Sequence, residues 1–488
     1  MTKFNTKDVQ TTKAISYEGG QVYSKSVEDE WINALFSSIL QPRFYESAEK
    51  QQQRFIDLTE AMIAKYGPHL ISKAAIFSRN ELGMRSISEL TAAILNKYQW
   101  VLKREFYKSY FHRPDGIGEV FAAIDELGGK RSHALVRGAA DYLNSLTAYQ
   151  IGKYPMRNHK YTMHDIINIT HAKSEVIDKY QKNILEAPDT WEVKIHSLQN
   201  DDEAREKEWK RLVEEHKLGY LALLRNLRAI CKCSFATTSW CKEYLVPQIV
   251  NEVSIKKSLV WPLQIYTEWK TLNQEGIGLE IEQALSDAFE ISTQNMPYLD
   301  GKTLVVLDVS GSMESKFNKG SLTIKEVCAV YASAFLKSEF KDNVEFIKFG
   351  STAKWYHAKF NSGNVFKLIQ ELADNDNCGY STEIASVFNL IDRHYDRVFL
   401  FSDMQVMDGG YWDRSASQRW NYYVENYGKS HMYSFDLGNY HNQLLPQNNT
   451  ISYITALNDI VFKIIDIQEN DSKSLLDMIR EYEYHFVD

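Results

Sequence analysis

Apolar residues recur at helical spacing through the first 298 positions. Phe55, Leu58, Met62, Ile63 and Tyr66 form one such face, and Gly67-Pro68 ends it. Ile87, Leu90, Ile94, Leu95 and Tyr98 form another. Ser86, with Glu89 three residues on, has the spacing of a capping box, in which each side chain satisfies the other's backbone N–H. Further periodic stretches predict helices near 117–127 (ended by Gly128-Gly129), 133–147, 163–171, 174–186, 203–231 and 277–291. Acids and bases alternate over 203–217 around Trp209, Leu212 and Val213, which predicts a solvated helix laced with ion pairs. No strong strand-like alternation intervenes, so stacked helical hairpins without a fixed sequence period are expected.

The texture changes over the polar stretch 292–302, which contains Pro297 and Gly301 and reads as a linker. Thr303 through Leu307 then form a buried strand by composition. Helix-like 321–338, strand-like 343–349, helix-like 363–373 and 383–394, and strand-like 397–402 and 431–436 follow. Strands alternating with helices predict a doubly wound α/β sheet. The chain is therefore read as multidomain: an all-α helical-repeat module over 1–295, then an α/β domain over 299–488.

Composition narrows the class. The 488 residues are 44% hydrophobic and 25% charged, a globular mix too long for one core. No apolar run reaches the roughly 18 residues needed to span a bilayer, and the polar N-terminal residues lack the apolar centre of a secretory leader. Five cysteines in this length do not make a disulfide framework, so a reducing cytoplasm is expected. The net charge of −8 is uneven. Residues 1–298 carry 38 basic and 38 acidic side chains, whereas 299–488 carry 18 and 26. Residues 61–187 hold 18 basic against 12 acidic side chains and six histidines, so an acidic total does not exclude a phosphate-bearing partner.

Strand 303–307 ends in Asp308-Val309-Ser310-Gly311-Ser312, where ligands bind in open α/β sheets. Asp308, Ser310 and Ser312 alternate, so three oxygens can converge from one loop. Thr382 lies in a loop before a helix, and Asp403 follows strand 397–402. Two carboxylates and three hydroxyls form a hard-oxygen set suited to Mg²⁺ or Mn²⁺ and poor for zinc. The competing reading is that each residue simply ends a strand or caps a helix. In this order the five residues resemble the metal-ion-dependent adhesion site of von Willebrand factor A domains. That resemblance implies metal contact through the hydroxyls, aspartates acting often through water, and an open position for a carboxylate or phosphate. A catalytic role is not expected: Ser310 and Ser312 lack a nucleophile elbow, Ser310 replaces the second acid of a phosphatase loop, and no Walker loop exists.

Several stretches of the helical part resemble the TROVE module of the Ro autoantigen family. They are 17–23, 74–85, Lys153-Tyr154 through Arg157, 165–171 and 222–227. Their order, with a von Willebrand A-like domain behind them, is similar to bacterial or phage Ro-like proteins. The resemblance implies a monomeric HEAT-like helical-repeat ring that binds small structured Y-like RNA on its outer face. Single-stranded ends of misfolded RNA would enter a central hole, an exoribonuclease would be a partner, and no membrane would be involved. The role implied is non-coding-RNA quality control or maturation.

Lys153, Arg157 and His171 match the positions where that family contacts Y RNA, and such side chains neutralise phosphate or stack on bases. Lys130, Arg131, Arg137 and Lys160 lie near in sequence and would extend the patch, with Tyr154 and Tyr161 as stacking surfaces. Taken singly, these are equally the solvated cations of helix faces, and His171 a helix end that favours the dipole. Arg79 and Arg85 either meet single-stranded RNA or pair with acids between repeats. Arg225 and Asn226 read as interhelix hydrogen-bonding residues. Cys231, Cys233 and Cys241 lack a fourth ligand for zinc and read as core thiols. The alternative function is a scaffold whose helices and metal site both grip protein partners.

Overall fold

The structure is a computed structural model. It describes residues 13–15, 21–24, 26–36, 47–81, 83–154, 156, 159–186, 190–296, 299–317, 321–338, 343–357, 364–405, 416–437, 442–443, 445, 450–454, 462, 465, 469 and 475–483. The chain folds into two compact units. One comprises Met1–Ser37, Gln41–Glu49 and Val213–Ser472, and the other Ser38–Leu40, Lys50–Leu212 and Lys473–Asp488. Helices followed by a mostly parallel α/β sheet are what the hydrophobic pattern calls for.

In the first unit, β1 (Lys13–Ile15) pairs antiparallel with β2 (Gln21–Ser24), two short strands that the helical reading of 1–298 does not contain. The main sheet has β3 (Thr303–Asp308), β4 (Val344–Phe349), β5 (Ala353–Tyr356), β6 (Arg397–Ser402), β7 (His431–Asp436) and, past the two-residue β8 (Asn442–Gln443), β9 (Ile451–Ile454). Their spatial order is β5-β4-β3-β6-β7-β9, and β5 alone runs antiparallel. Both faces are covered, which is why β3 and β6 are buried along their whole length. Leu304, Val306 and Leu400 pack with Val387, Phe388 and Trp420 on one side. Phe399 meets Phe335 at 5.2 Å and Phe462 at 6.2 Å on the other. Helices Pro262–Asn273 and Leu279–Ser292 pack here too. Trp269 stacks on Phe366 at 4.3 Å, and Lys270 pairs with Glu326 at 2.6 Å.

The second unit runs from helix Ala48–Tyr66 to helix Asp202–Glu214. Helices Lys103–Tyr110 and His133–Asn144 pack almost backbone to backbone. A Cβ on Gly138 would sit 2.6 Å from the Arg104 carbonyl oxygen, so only glycine fits. Lys103 is buried and donates to the carbonyls of Asn96 (2.8 Å) and Tyr98 (2.6 Å), closing the end of helix Ser86–Leu95. That helix does not start with the expected capping box. Arg85 is its N-cap, no side chain caps it, and Glu89 is turned into the interior. The expected 203–231 helix is also broken: His216 takes a left-handed φ of 54°, and a new helix, Tyr220–Cys231, starts after Gly219.

Candidate metal centre and nucleic-acid interface

The parallel register aligns the carboxyl ends of β3 and β6, since Leu307 faces Phe401. Asp308 and Asp403 therefore emerge side by side, both almost completely buried. The Ser310 backbone N–H donates to Asp308 Oδ1 at 2.9 Å, and Ser402 Oγ donates to Oδ2 at 2.6 Å. Ser310 and Ser312 hydroxyls lie 3.5 Å apart, and Ser312 hydrogen-bonds Asp403. The Gly311 N–H donates to the Tyr380 carbonyl at 2.9 Å, which holds the loop carrying buried Thr382 against the Asp308 loop. Asn375 Nδ2 locks the same corner by donating to Val309 O at 2.8 Å and Gly379 O at 2.9 Å.

Burial pushes both carboxyls up. The negative charge of Asp308 raises Asp403 further, and that of Asp436 adds to it. No ion pair to Asp308 or Asp403 is found among the described residues. Two buried, mutually repelling carboxylates beside hydroxyl oxygens form a set that either a proton or a cation can neutralise. Among the described residues no three His, Cys, Asp or Glu side chains cluster as a metal-ligand group, so any cation here would rely on the hydroxyls. Ser402 and Asp436 belong to this corner but were not singled out. Their positions at the ends of β6 and β7 were the available signal.

The basic residues have different fates. Arg79 Nη1 lies 3.5 Å from Glu89, and Arg85 pairs with Asp115 at 2.9 Å and with Glu89 at 3.9 Å. Burial pushes the Glu89 carboxyl up, and the two guanidiniums pull partly against it. The pairing alternative is thus present for both arginines. Asp125 is a second hub. It pairs with Arg131 at 2.7 Å and Lys160 at 2.9 Å and accepts from the Tyr161 hydroxyl. Against the upward pull of burial, the hydrogen bonds from Tyr161 and Lys160 hold Asp125 below its usual range. The Arg131 guanidinium also covers the Phe121 and Tyr161 rings, 4.9 and 5.1 Å from their centroids.

Lys130 and Arg137 are exposed and make no ion pair among the described residues. Lys153 closes helix Ala148–Lys153, 5.4 Å from the Tyr149 ring centroid and 5.9 Å from that of Tyr154. Against the downward pull of burial, its hydrogen bond with Tyr149 keeps the ammonium above its ordinary value. His171 is exposed in the left-handed region, φ 54°, at the end of helix Met163–Thr170. Arg157 lies outside the described residues. Arg113, which sequence reasoning passed over, lies 4.3 Å from the Tyr154 ring centroid and pairs with Asp115 at 2.9 Å. Cys231 and Cys241 line a small cavity with Glu275 and Glu280, and burial raises both thiols. No helix among the described residues is long and apolar enough to cross a membrane.

Fold and loop geometry define a helical protein carrying a mostly parallel α/β sheet with an acidic–hydroxyl corner at its strand ends. Residues 180–277 match the TROVE domain family model. The fold is similar to the crystal structure of the Ro (Rsr) protein of Deinococcus radiodurans. That likeness has a TM-score of 0.64 at 15% identity and covers 92% of this chain and 100% of that one. Comparison with curated protein sequences returned no match. One stretch of the chain is thus similar to the TROVE domain family, and the chain has the fold of a Ro protein.

Proposed function

We propose that this chain is an RNA-binding protein of the Ro type. Its ligand is a small structured non-coding RNA of the Y-like kind, held by phosphate contacts from Lys153, Arg157, His171, Lys130 and Arg137. Single-stranded ends of misfolded RNA are a second ligand, which the resemblance assigns to a central hole of the helical array. The role is non-coding-RNA quality control or maturation in the cytoplasm beside an exoribonuclease, by binding without catalysis. The TROVE match carries this reading, together with the exposure of Lys130, Arg137 and His171 just before it in the chain.

In the same reading 1–295 is the TROVE-like module and 299–488 a von Willebrand A-like domain. Asp308, Ser310, Ser312, Thr382 and Asp403 would hold Mg²⁺, or Mn²⁺ in its place. The bound ion supplies a Lewis-acidic position for the carboxylate of an acidic protein or a phosphate. The burial of both acids without an ion pair among the described residues supports this assignment, because a divalent cation would neutralise them as a proton otherwise does.

The scaffold reading draws on one observation: Arg79, Arg85, Arg131 and Lys160 are engaged by carboxylates of the chain itself. Ultraviolet crosslinking in the source cell, followed by sequencing of the attached nucleic acid, separates the two. Recovery of a discrete small RNA is expected, and absence of crosslinked RNA would favour the scaffold.

A further inference from the structure

Met404 directly follows Asp403 and takes a left-handed φ of 61°. Seven non-glycine residues among those described have a positive φ, and the other six (His171, Asn183, His216, Leu259, Asp376 and Asn377) are exposed. Met404 alone of the seven is buried, and completely so. Left-handed backbone brings Cβ against the following carbonyl, so a buried side chain stays there where its surroundings over-determine it.

Those surroundings are specific. The side chain lies in the core cluster of Leu400, Val387 and Trp420, and Ser434 Oγ donates to its sulfur at 3.4 Å. Ser434 is itself fully buried, so water cannot replace that acceptor. The backbone on either side of Met404 serves the two acids. The Met404 N–H donates to Ser402 Oγ at 3.1 Å, which leaves the Ser402 proton for Asp308 Oδ2 at 2.6 Å. The left-handed turn then brings the Gln405 N–H back to Asp403 Oδ1 at 3.2 Å. At Asp308 the corresponding N–H, that of Ser310, arrives at 2.9 Å across Val309, which has no positive φ. Asp403 obtains the same contact through the strained residue.

We propose that Met404 is a positioning residue of the acidic corner: its left-handed turn, pinned by Ser434 and the core, presets the Asp403 carboxylate for a divalent cation. This rests on the metal reading of the corner and adds the residue that fixes its geometry before the ion binds. A carboxylate already held in place loses less freedom on binding, which strengthens affinity.

The test is titration calorimetry of the full chain with MgCl₂. Two substitutions separate conformation from bulk. Met404→Gly permits the positive φ but empties the core position. Met404→Val keeps more of the bulk, but a β-branched side chain is an outlier at positive φ and drives the turn elsewhere. Positioning predicts that valine weakens Mg²⁺ affinity about tenfold or more, while glycine stays within about threefold of wild type at a lower melting temperature. A core-filling role alone predicts the reverse order, since glycine removes more volume. Ser434→Ala deletes only the anchoring hydroxyl and should weaken Mg²⁺ about threefold, which decides the matter if either Met404 variant fails to fold. Wild-type affinity in Ser434→Ala or in a folded Met404→Val would overturn the positioning role and leave the metal reading standing. No Mg²⁺ binding by wild type would overturn both.

Discussion

The acidic corner of the sheet and the basic positions of the 50–212 unit differ in how their chemistry is fixed. At the corner, hydrogen-bonded register delivers Asp308 and Asp403 to the same end of adjacent strands, so their juxtaposition follows from pairing two strands correctly. Asp308 and Asp403 are buried there and make no ion pair among the described residues. In the 50–212 unit position depends on how helices pack. Several cations are neutralised within the chain: Arg79 and Arg85 by Glu89 and Asp115, and Arg131 and Lys160 by Asp125. Buried acids that the fold leaves without an ion pair are the ones the proposal assigns to a ligand. Compensated ones hold the fold together.

Asp308→Ala is the most severe way to break this contrast. It removes a carboxylate that nothing else replaces, and calorimetry should show complete loss of Mg²⁺ binding with RNA affinity unchanged. Unaltered Mg²⁺ affinity would remove the corner from the comparison.

Arg79→Ala should act in the opposite sense, on stability alone. It leaves Glu89 buried with a weaker partner, at a cost of about 3 kcal/mol in denaturant unfolding. A variant with unchanged stability and weakened RNA binding would return Arg79 to the ligand-facing set.

A smaller effect concerns Lys103, whose ammonium burial pulls down to about 8. The unfolded chain holds that proton to about pH 10.4. The burial cost is therefore fully present below pH 8 and relieved as pH rises towards 10. The melting temperature of wild type relative to Lys103→Met should rise across that window. A flat difference would mean that the amine keeps its ordinary affinity for the proton.

The same contrast explains what could be read before the fold was known. That Asp308 and Asp403 come together at the strand ends was legible because such ends in an open α/β sheet are placed by local pattern, and β3, β4, β6 and β7 were all visible as apolar runs. Strand β5 was not, because Ala353–Tyr356 is short and half-exposed. Helix Pro68–Asn80 was hidden by its Gly-Pro start, although proline suits a first helical turn. The capping box at Ser86 failed because burial of Glu89 against two arginines outcompeted a surface hydrogen bond. Which lysines and arginines are engaged could not be read at all, since Asp125 meets Lys160 only through tertiary packing.

The most direct measurement is the salt dependence of affinity for a stem-loop RNA, in wild type and in the folded Lys153→Ala, Arg157→Ala, His171→Ala triple variant. Wild type should bind in low salt with a steep negative slope of log affinity against log salt. The triple variant should lose about tenfold or more in affinity and about two units of slope, one for each phosphate released by Lys153 and Arg157. Wild-type affinity with no salt dependence, or a triple variant indistinguishable from wild type, would contradict phosphate recognition by this face.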